Sequence, residues 1–397
     1  MTDFAATRAA FDLPEGVIYL DGNSLGVLPR GAAARVERTI RAEWGERLIR
    51  AWNDAGWMTQ PARVGDRIAR LIGAPAGSVV VGDTLSIKVY QALAAALALR
   101  PGRRIVLSDS GNFPTDLYIA QGLLDTLGQG HELRVVAPEE VAGAITGDVA
   151  ATLLTEVDYR TGRLHDMAAL TRVAHEAGAL AIWDLAHSAG AIPVDVTRAG
   201  ADFAVGCTYK YLNGGPGAPA FIHVAPRHAA VARPALAGWM GHEAPFAFDA
   251  AYRPGAGIER MRVGTPPVIA LAALEAALEV WDMVDMRDVR AASLRLSERF
   301  IAEVEAQCPA LELASPRDAA QRGSQVSFRH PHAYPVMAAL IDRGVIGDVR
   351  APDILRFGFT PLYLSEQEVV RAAGVLATIM RDEAWRDPRF QQRQAVT

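Results

Sequence analysis

The stretch CTYKYLNGGPG, at 207–217, sets Lys210 between two tyrosines and ahead of a glycine-rich turn. Lysine is scarce in this chain: of 40 basic side chains 38 are arginine, and only Lys88 and Lys210 are lysine. On a solvated surface either cation serves, so a coding bias explains most of the replacement. A lysine amine, unlike a guanidinium, can lose its proton and form a Schiff base with a carbonyl. Lys210 is therefore the first candidate for covalent chemistry. Lys88 falls inside the helical pattern LSIKVYQALAAALAL and is expected on its solvated face.

Other polar groups stand where apolar strand patterns stop. ALAIWDLAH ends its apolar run at Asp184, with His187 three residues on, and ADFAVGCTYK runs into Tyr209 and Lys210. VVVGDTLS and IVLSDSGNFPTD end in small polar residues ahead of helical patterns, where free backbone N–H groups can hold a phosphate. Each has a plain structural reading when taken singly. A strand-end aspartate usually caps the next helix, NGGPG is a turn, and His187 would serve as a structural histidine. Their joint placement at strand ends, where ligands of parallel sheets gather, points to chemistry. A lysine, a strand-end carboxylate and a phosphate cradle together suggest pyridoxal phosphate. The lysine holds the aldehyde, and the carboxylate keeps the pyridine nitrogen protonated so that the ring acts as an electron sink.

The elements that must position these groups are legible as alternating patterns. Short apolar runs at 78–82, 104–109, 132–136, 151–157, 179–184, 201–206 and 218–224 are mostly separated by helical stretches such as DMAALTRVAHEAG. That pattern predicts an α/β fold with a mostly parallel sheet covered by helices. From about 267 the texture changes to long helices, then shorter strands SQVSFRH and DILRFGF and a closing helix, which predicts a smaller α+β C-terminal domain. The division expected is an N-terminal arm over 1–50, a large domain over 51–284 and a small domain over 285–397. A length of 397 residues suits about two domains.

Half the residues are apolar, 21% are charged and the formal net charge is −5, which gives no reason to expect nucleic acid or a membrane surface as partner. The start, MTDFAATRAAFDLP, carries acids early and has no apolar core of a secretory signal. Two cysteines, Cys207 and Cys308, make neither a disulfide framework nor a metal cluster, so a reducing cytoplasm is expected and no metal.

WDLAHSAGAIPVDV followed by ADFAVGCTYKYLNGGPG resembles kynureninase, a member of the class V group of fold-type-I pyridoxal phosphate enzymes. YLDGNSLGVLP, LIRAWNDAGW, NFPTD, EVDYRTG, GWMGHE and GTPP also match, so the resemblance runs from about 17 to 365. It implies a pyridoxal phosphate bound to Lys210, with Asp184 at the pyridine nitrogen, His187 near the phenolic oxygen and Phe113 stacked on the ring. Asp116 would support the cofactor, and Leu85, Ser86 and Thr155 would line its phosphate and ring edge. Tyr209 and Trp239 would reach the phosphate, Trp239 from the second subunit of a homodimer with shared sites. Tyr209 is also the candidate proton donor, if the phosphate and lysine shift its phenol toward neutrality. Arg356 would clamp the substrate α-carboxylate, with Asn23 and Ser24 of GNSLG closing over it. The implied reaction is hydrolytic Cβ–Cγ cleavage of L-kynurenine to anthranilate and L-alanine, a step of tryptophan catabolism. Thr265 departs from the asparagine of animal members, which implies less efficient use of 3-hydroxykynurenine.

Two other readings stand beside this one. The first is another class V enzyme, an aminotransferase or a cysteine desulfurase, which would need a mobile nucleophilic cysteine. The second is a relative that binds a ligand without catalysis, against which the joint presence of Lys210, Asp184 and His187 argues.

Overall fold

The computed structural model describes residues 1–393, so the last four residues of the 285–397 unit lie outside the described residues. Among the described residues, thirteen strands form three sheets. In chain order they are β1 (Ile18–Tyr19), β2 (Val79–Val81), β3 (Ile105–Asp109), β4 (Glu132–Val136), β5 (Val149–Thr155), β6 (Leu180–Asp184), β7 (Phe203–Gly206) and β8 (Phe221–Val224). Then come β9 (Glu312–Leu313), β10 (Gln325–Arg329), β11 (Val345–Ile346), β12 (Asp348–Arg350) and β13 (Ile354–Gly358).

The main sheet has seven strands in the order β2-β8-β7-β6-β5-β3-β4. Every neighbouring pair is parallel except the two that involve β8. The carboxyl ends of β2, β3, β5, β6 and β7 therefore share one edge. Strand β5 is buried at every residue, because helices cover both faces and leave no polar side for alternation. The alternation of side chains divides the core instead. Ala181 and Trp183 of β6 join the apolar cluster of helices Gln60–Leu71 and Met167–Glu176, while Leu180 and Ile182 join that of helix Leu85–Leu99.

Helix Gln60–Leu71 buries Val64, Gly65, Ile68, Ala69 and Leu71, a stripe at helical spacing that lies against β2. The seven apolar runs predicted from the sequence are all strands of this sheet, with ends that shift by up to about three residues. The predicted helix from 267 is α-helical only over Val268–Ala277 and tightens to a 3₁₀ turn over Leu278–Met283.

The smaller sheet is antiparallel, in the order β12-β13-β10-β9, and is backed by helices Met286–Gln307 and Ala333–Asp342, themselves packed against helix Glu366–Arg381. Ser365 and Glu368 cap the latter helix reciprocally. The N-terminal segment crosses between the two sheets. Its β1 pairs with β11, Arg8 forks onto Glu368, and the Gly26 N–H donates to the Tyr209 carbonyl at 2.8 Å. No helix among the described residues is long and apolar enough to cross a membrane.

At Gly65 a Cβ would stand 2.2 Å from the Val79 carbonyl oxygen, so helix and strand touch through backbone. Gly65→Ala gains about 1 kcal/mol of helix propensity but must push β2 away, which costs about 1–3 kcal/mol or more. A lower urea midpoint at unchanged slope is the expected outcome.

Candidate active site

Lys210 follows β7 by four residues, in a turn built by its own neighbours. Thr208 Oγ1 donates to the Pro219 carbonyl at 2.7 Å, and the Asn213 N–H donates to the Lys210 carbonyl at 2.8 Å. Asn213 takes a positive φ of 57°, which asparagine tolerates better than most residues. Gly26 packs onto this turn so closely that a Cβ would lie 2.4 Å from the Lys210 carbonyl oxygen. The GNSLG segment is thus anchored on the loop that carries the amine.

The Lys210 Nζ lies 3.0 Å from His187 Nε2. Burial, and then the charges of Lys210, Arg356 and Arg350, hold the His187 imidazole well below its ordinary value. A neutral ring has one nitrogen that accepts, and an ammonium can only donate, so this contact selects the tautomer with its proton on Nδ1 and the lone pair on Nε2. Beside them are two buried carboxylates. Asp184 ends β6 and accepts the Ala186 N–H at 2.8 Å; burial pushes it up to about 6, against the pull of Lys210. Asp116, in the first turn of helix Pro114–Leu127, is pushed well up by burial and by the Asp184 charge. Its Oδ2 has no hydrogen-bond partner among the described residues.

Phe113, 40% exposed, stands with its ring centroid 6.0 Å from the Lys210 Nζ and packs edge-on against Tyr159. Thr155, at the end of β5, is in register with Asp184. Leu85 and Ser86 open helix Leu85–Leu99, and Thr84 in the cap position gives no side-chain hydrogen bond, so the first-turn N–H groups are available. Lys210, His187, Asp184, Asp116, Phe113 and Tyr209 come together at one edge of the sheet.

These residues fit the pyridoxal phosphate expected from the sequence. An amine, a buried carboxylate pair with an unpartnered oxygen, an exposed aromatic face and an uncapped helix start match the aldehyde, ring nitrogen, ring and phosphate. No cluster of His, Cys, Asp and Glu suited to a metal ion occurs among the described residues.

Two expectations are corrected, the shift of Tyr209 and the solvated placement of Lys88, and the other expected residues meet the following surroundings. The Tyr209 phenol is pushed up rather than toward neutrality, by burial first and then by Cys207 and Asp184, against the pull of Arg350. Arg356 is fully buried and already engaged. Its Nε donates to Asp348 Oδ1 at 2.7 Å, its second nitrogen forks onto Asp348 and Ser24, and its third reaches the Tyr159 carbonyl. Asp348 and Arg350 of β12 complete this cluster, with Arg350 at 2.8 Å from Asp348 and partly exposed. Sequence reading missed both, because a two-charge pair in a three-residue strand has no pattern. Asn23 is buried against Gly358 of β13. Trp239 and Thr265 are exposed, and no hydrogen bond or ring contact joins either to the Lys210 group among the described residues. Lys88 is not on a solvated face: it is 1% exposed.

A profile of the Kynureninase C-terminal domain matches residues 289–376. The chain is 53% identical to a kynureninase of Burkholderia pseudomallei strain 1106a over 400 aligned positions, covering 99% of this chain and 96% of that one. A kynureninase of Pseudomonas fluorescens matches at the same identity and the same coverage of 99% and 96%. Among solved structures, a cysteine desulfurase from Thermococcus onnurineus NA1 superposes with a TM-score of 0.81 at 20% identity, over 95% of this chain and 98% of that one. A cysteine desulfurase of Escherichia coli gives 0.78 at 19%, over 96% and 99%. The fold is thereby that of the fold-type-I pyridoxal phosphate enzymes.

Behind the site, Glu156 follows Thr155, donates its N–H to the Asp184 carbonyl at 3.0 Å, and is wholly buried. Burial pushes its carboxyl up from 4.5 to about 7. A group with a raised folded value binds its proton better folded than unfolded. Its contribution to stability is full below about 4.5 and is lost as pH rises through about 7. Glu156→Gln never ionises, so it should gain on wild type by up to roughly 3 kcal/mol from about pH 5 to about pH 8. Urea midpoints of both proteins across that range check it.

Proposed function

Because the chain belongs to the kynureninase family, we propose that its pocket cleaves L-kynurenine hydrolytically to anthranilate and L-alanine with pyridoxal phosphate. The observation that carries the reading is the convergence of Lys210, His187 and Asp184 at the shared carboxyl edge of β6 and β7. When bound, pyridoxal phosphate supplies an aldehyde that condenses with amines and a ring that accepts the electron pair of a breaking bond.

The chain's own residues do the rest. Lys210 would hold the cofactor through its aldehyde, and its amine, once free, would move the proton at the substrate Cα. Its contact with neutral His187 keeps the amine close to the reacting carbon. Asp184 would hold a proton on the ring nitrogen, for which a buried carboxylate is suited once a cation faces it. Phe113 would stack on the ring, Asp116 and Thr155 would border it, and the N–H groups of Leu85 and Ser86 would take the phosphate. Tyr209 serves as proton donor in its neutral form, which the upward shift of its phenol favours. Arg356, fixed by Asp348, orients the substrate carboxylate together with Ser24 and Asn23.

The 1–50 arm closes the pocket, the 51–284 unit holds the cofactor, and the 285–397 unit presents Arg356. Trp239 and Thr265 act in the site of a second copy of the chain. A groove of about 840 Å³ beside the Lys210 turn supports such a dimer; it is lined by Leu25, Leu28, Pro29, Val36 and Ile40 and leaves large apolar side chains exposed. The partners are thus the small substrate and a second copy, in the cytoplasm.

The desulfurase reading is disfavoured at the cysteines. Cys207 and Cys308 are both buried, and burial pushes the Cys308 thiol up to about 11. Neither is a mobile thiolate able to take sulfur.

The purified chain with pyridoxal phosphate should convert L-kynurenine to anthranilate and alanine, and 3-hydroxykynurenine about tenfold less efficiently for want of a hydrogen bond at Thr265. Chromatography of both products tests this, and alanine from neither substrate would overturn the reading. Lys210→Arg should lose the visible chromophore and all turnover while keeping its circular dichroism. In subunit-exchange experiments, Lys210→Ala and Trp239→Ala chains should complement each other; exchange without recovery would refute the shared site.

A further inference from the structure

The second lysine of the chain is as buried as the first is active. Lys88 sits in helix Leu85–Leu99, one turn beyond the residues offered to the phosphate, and its side chain is 1% exposed. Its ammonium meets three acceptors from three directions. Asp83 Oδ2 lies at 3.0 Å, Gln91 Oε1 at 2.9 Å and the Met261 carbonyl at 3.4 Å. An ammonium has three donors, so the group is saturated. A buried charge left unpaired would cost far more than the pairing returns, so this arrangement fixes all three partners together. A guanidinium is larger than an ammonium and spreads its donors in a plane, so arginine is not an isosteric replacement for the buried Lys88.

What the three partners carry gives the arrangement its meaning. Asp83 belongs to the turn between β2 and the helix, has a positive φ of 57°, and accepts the Ala220 N–H at 3.0 Å. That turn sets where the N–H groups of Leu85 and Ser86 point. Met261 lies in the 257–261 turn, and its carbonyl also accepts from Gln91 Nε2 at 3.0 Å. Two residues on, the Val263 carbonyl accepts the Met240 N–H at 3.2 Å, beside Trp239, and Thr265 follows.

We propose that Lys88 is a positioning residue for the cofactor phosphate. Its ammonium locks the Asp83 turn, and with it the first turn of the helix, to the Met261 backbone that leads to Thr265 and Trp239. The inference rests on the reading of the pocket as a pyridoxal phosphate site, and it concerns binding of the phosphate rather than chemistry at the amine. Lys88 touches none of the reacting atoms.

The test separates phosphate from ring. Apo forms of the full-length wild type, Lys88→Met and Gln91→Met are titrated with pyridoxal phosphate and with pyridoxal, which lacks the phosphate, and followed by visible absorbance. Lys88→Met should weaken pyridoxal phosphate at least tenfold and pyridoxal less than twofold. Gln91→Met leaves the Lys88–Asp83 pair and the Lys88–Met261 contact in place and removes the Gln91 bonds to Lys88 and to the Met261 carbonyl, so it should show the same selectivity at about two- to fivefold. It decides the matter alone if Lys88→Met does not fold. Equal losses for both ligands, or no loss for either, would overturn the positioning role and leave Lys88 a structural residue. Wild type that binds neither ligand would instead refute the cofactor reading itself.

Discussion

Two carboxylates, Asp116 and Asp184, are buried side by side beneath one lysine amine, and the rest of the site answers to that cost. Neither ionises easily in an apolar surround, and the Asp184 charge raises Asp116 further. A single cation opposite them changes the balance, which is why the position of Lys210 matters more than its charge alone. The turn around Lys210 is accordingly over-determined. Thr208, Asn213 and the backbone of Gly26 all hold it, and His187 accepts from its amine. An exposed amine on a floppy loop would leave the carboxylates protonated and the pocket inert.

The sheet supplies the geometry that this electrostatic arrangement requires. Parallel strands β5, β6 and β7 end at one edge, in register, so Thr155, Asp184 and the Lys210 turn are neighbours without any contact between their chain segments in sequence. The strands can be apolar throughout because helices seal both faces, and polar side chains are deferred to the strand ends. β8 runs antiparallel and frees the turn after β7 from an immediate crossover helix. The active lysine therefore lies in a tight return rather than at a helix start.

A second buried charge cluster lies across the pocket. Arg356, Asp348, Arg350 and Ser24 bring together strands of the small sheet and the N-terminal segment. Asp348 is held below the usual carboxylate range mainly by Arg356, against its own burial. The same Asp348 charge, added to burial, pushes Asp21 up to about 7. The cluster is thus a fixed fork of cations facing His187 and Tyr159, and it depends on the N-terminal segment being in place. Gly26 and Ser24, two residues apart, tie that segment to the Lys210 turn and to Arg356 respectively. The two halves of the pocket share one strap.

The sequence by itself determined the period and therefore the class. Seven apolar runs separated mostly by helical stretches point to a sheet covered on both faces, and Lys210, Asp184 and His187 stand at or just beyond strand ends, the edge where ligands of a parallel sheet gather. The scarcity of lysine drew attention to Lys210 for a chemical reason that survives folding. The same scarcity failed at Lys88, because periodicity within Leu85–Leu99 cannot say which face is covered when the helix is apolar nearly all round. Only the tertiary structure brought Met261 and Asp83 to its ammonium. The state of Tyr209 and the engagement of Arg356 were likewise decided by three-dimensional neighbours, Cys207 with burial in one case and Asp348 in the other. Local pattern records which residues must leave water. Charge and hydrogen bonding depend on which groups, distant in the chain, arrive within about 3 Å, and no local pattern encodes that distance.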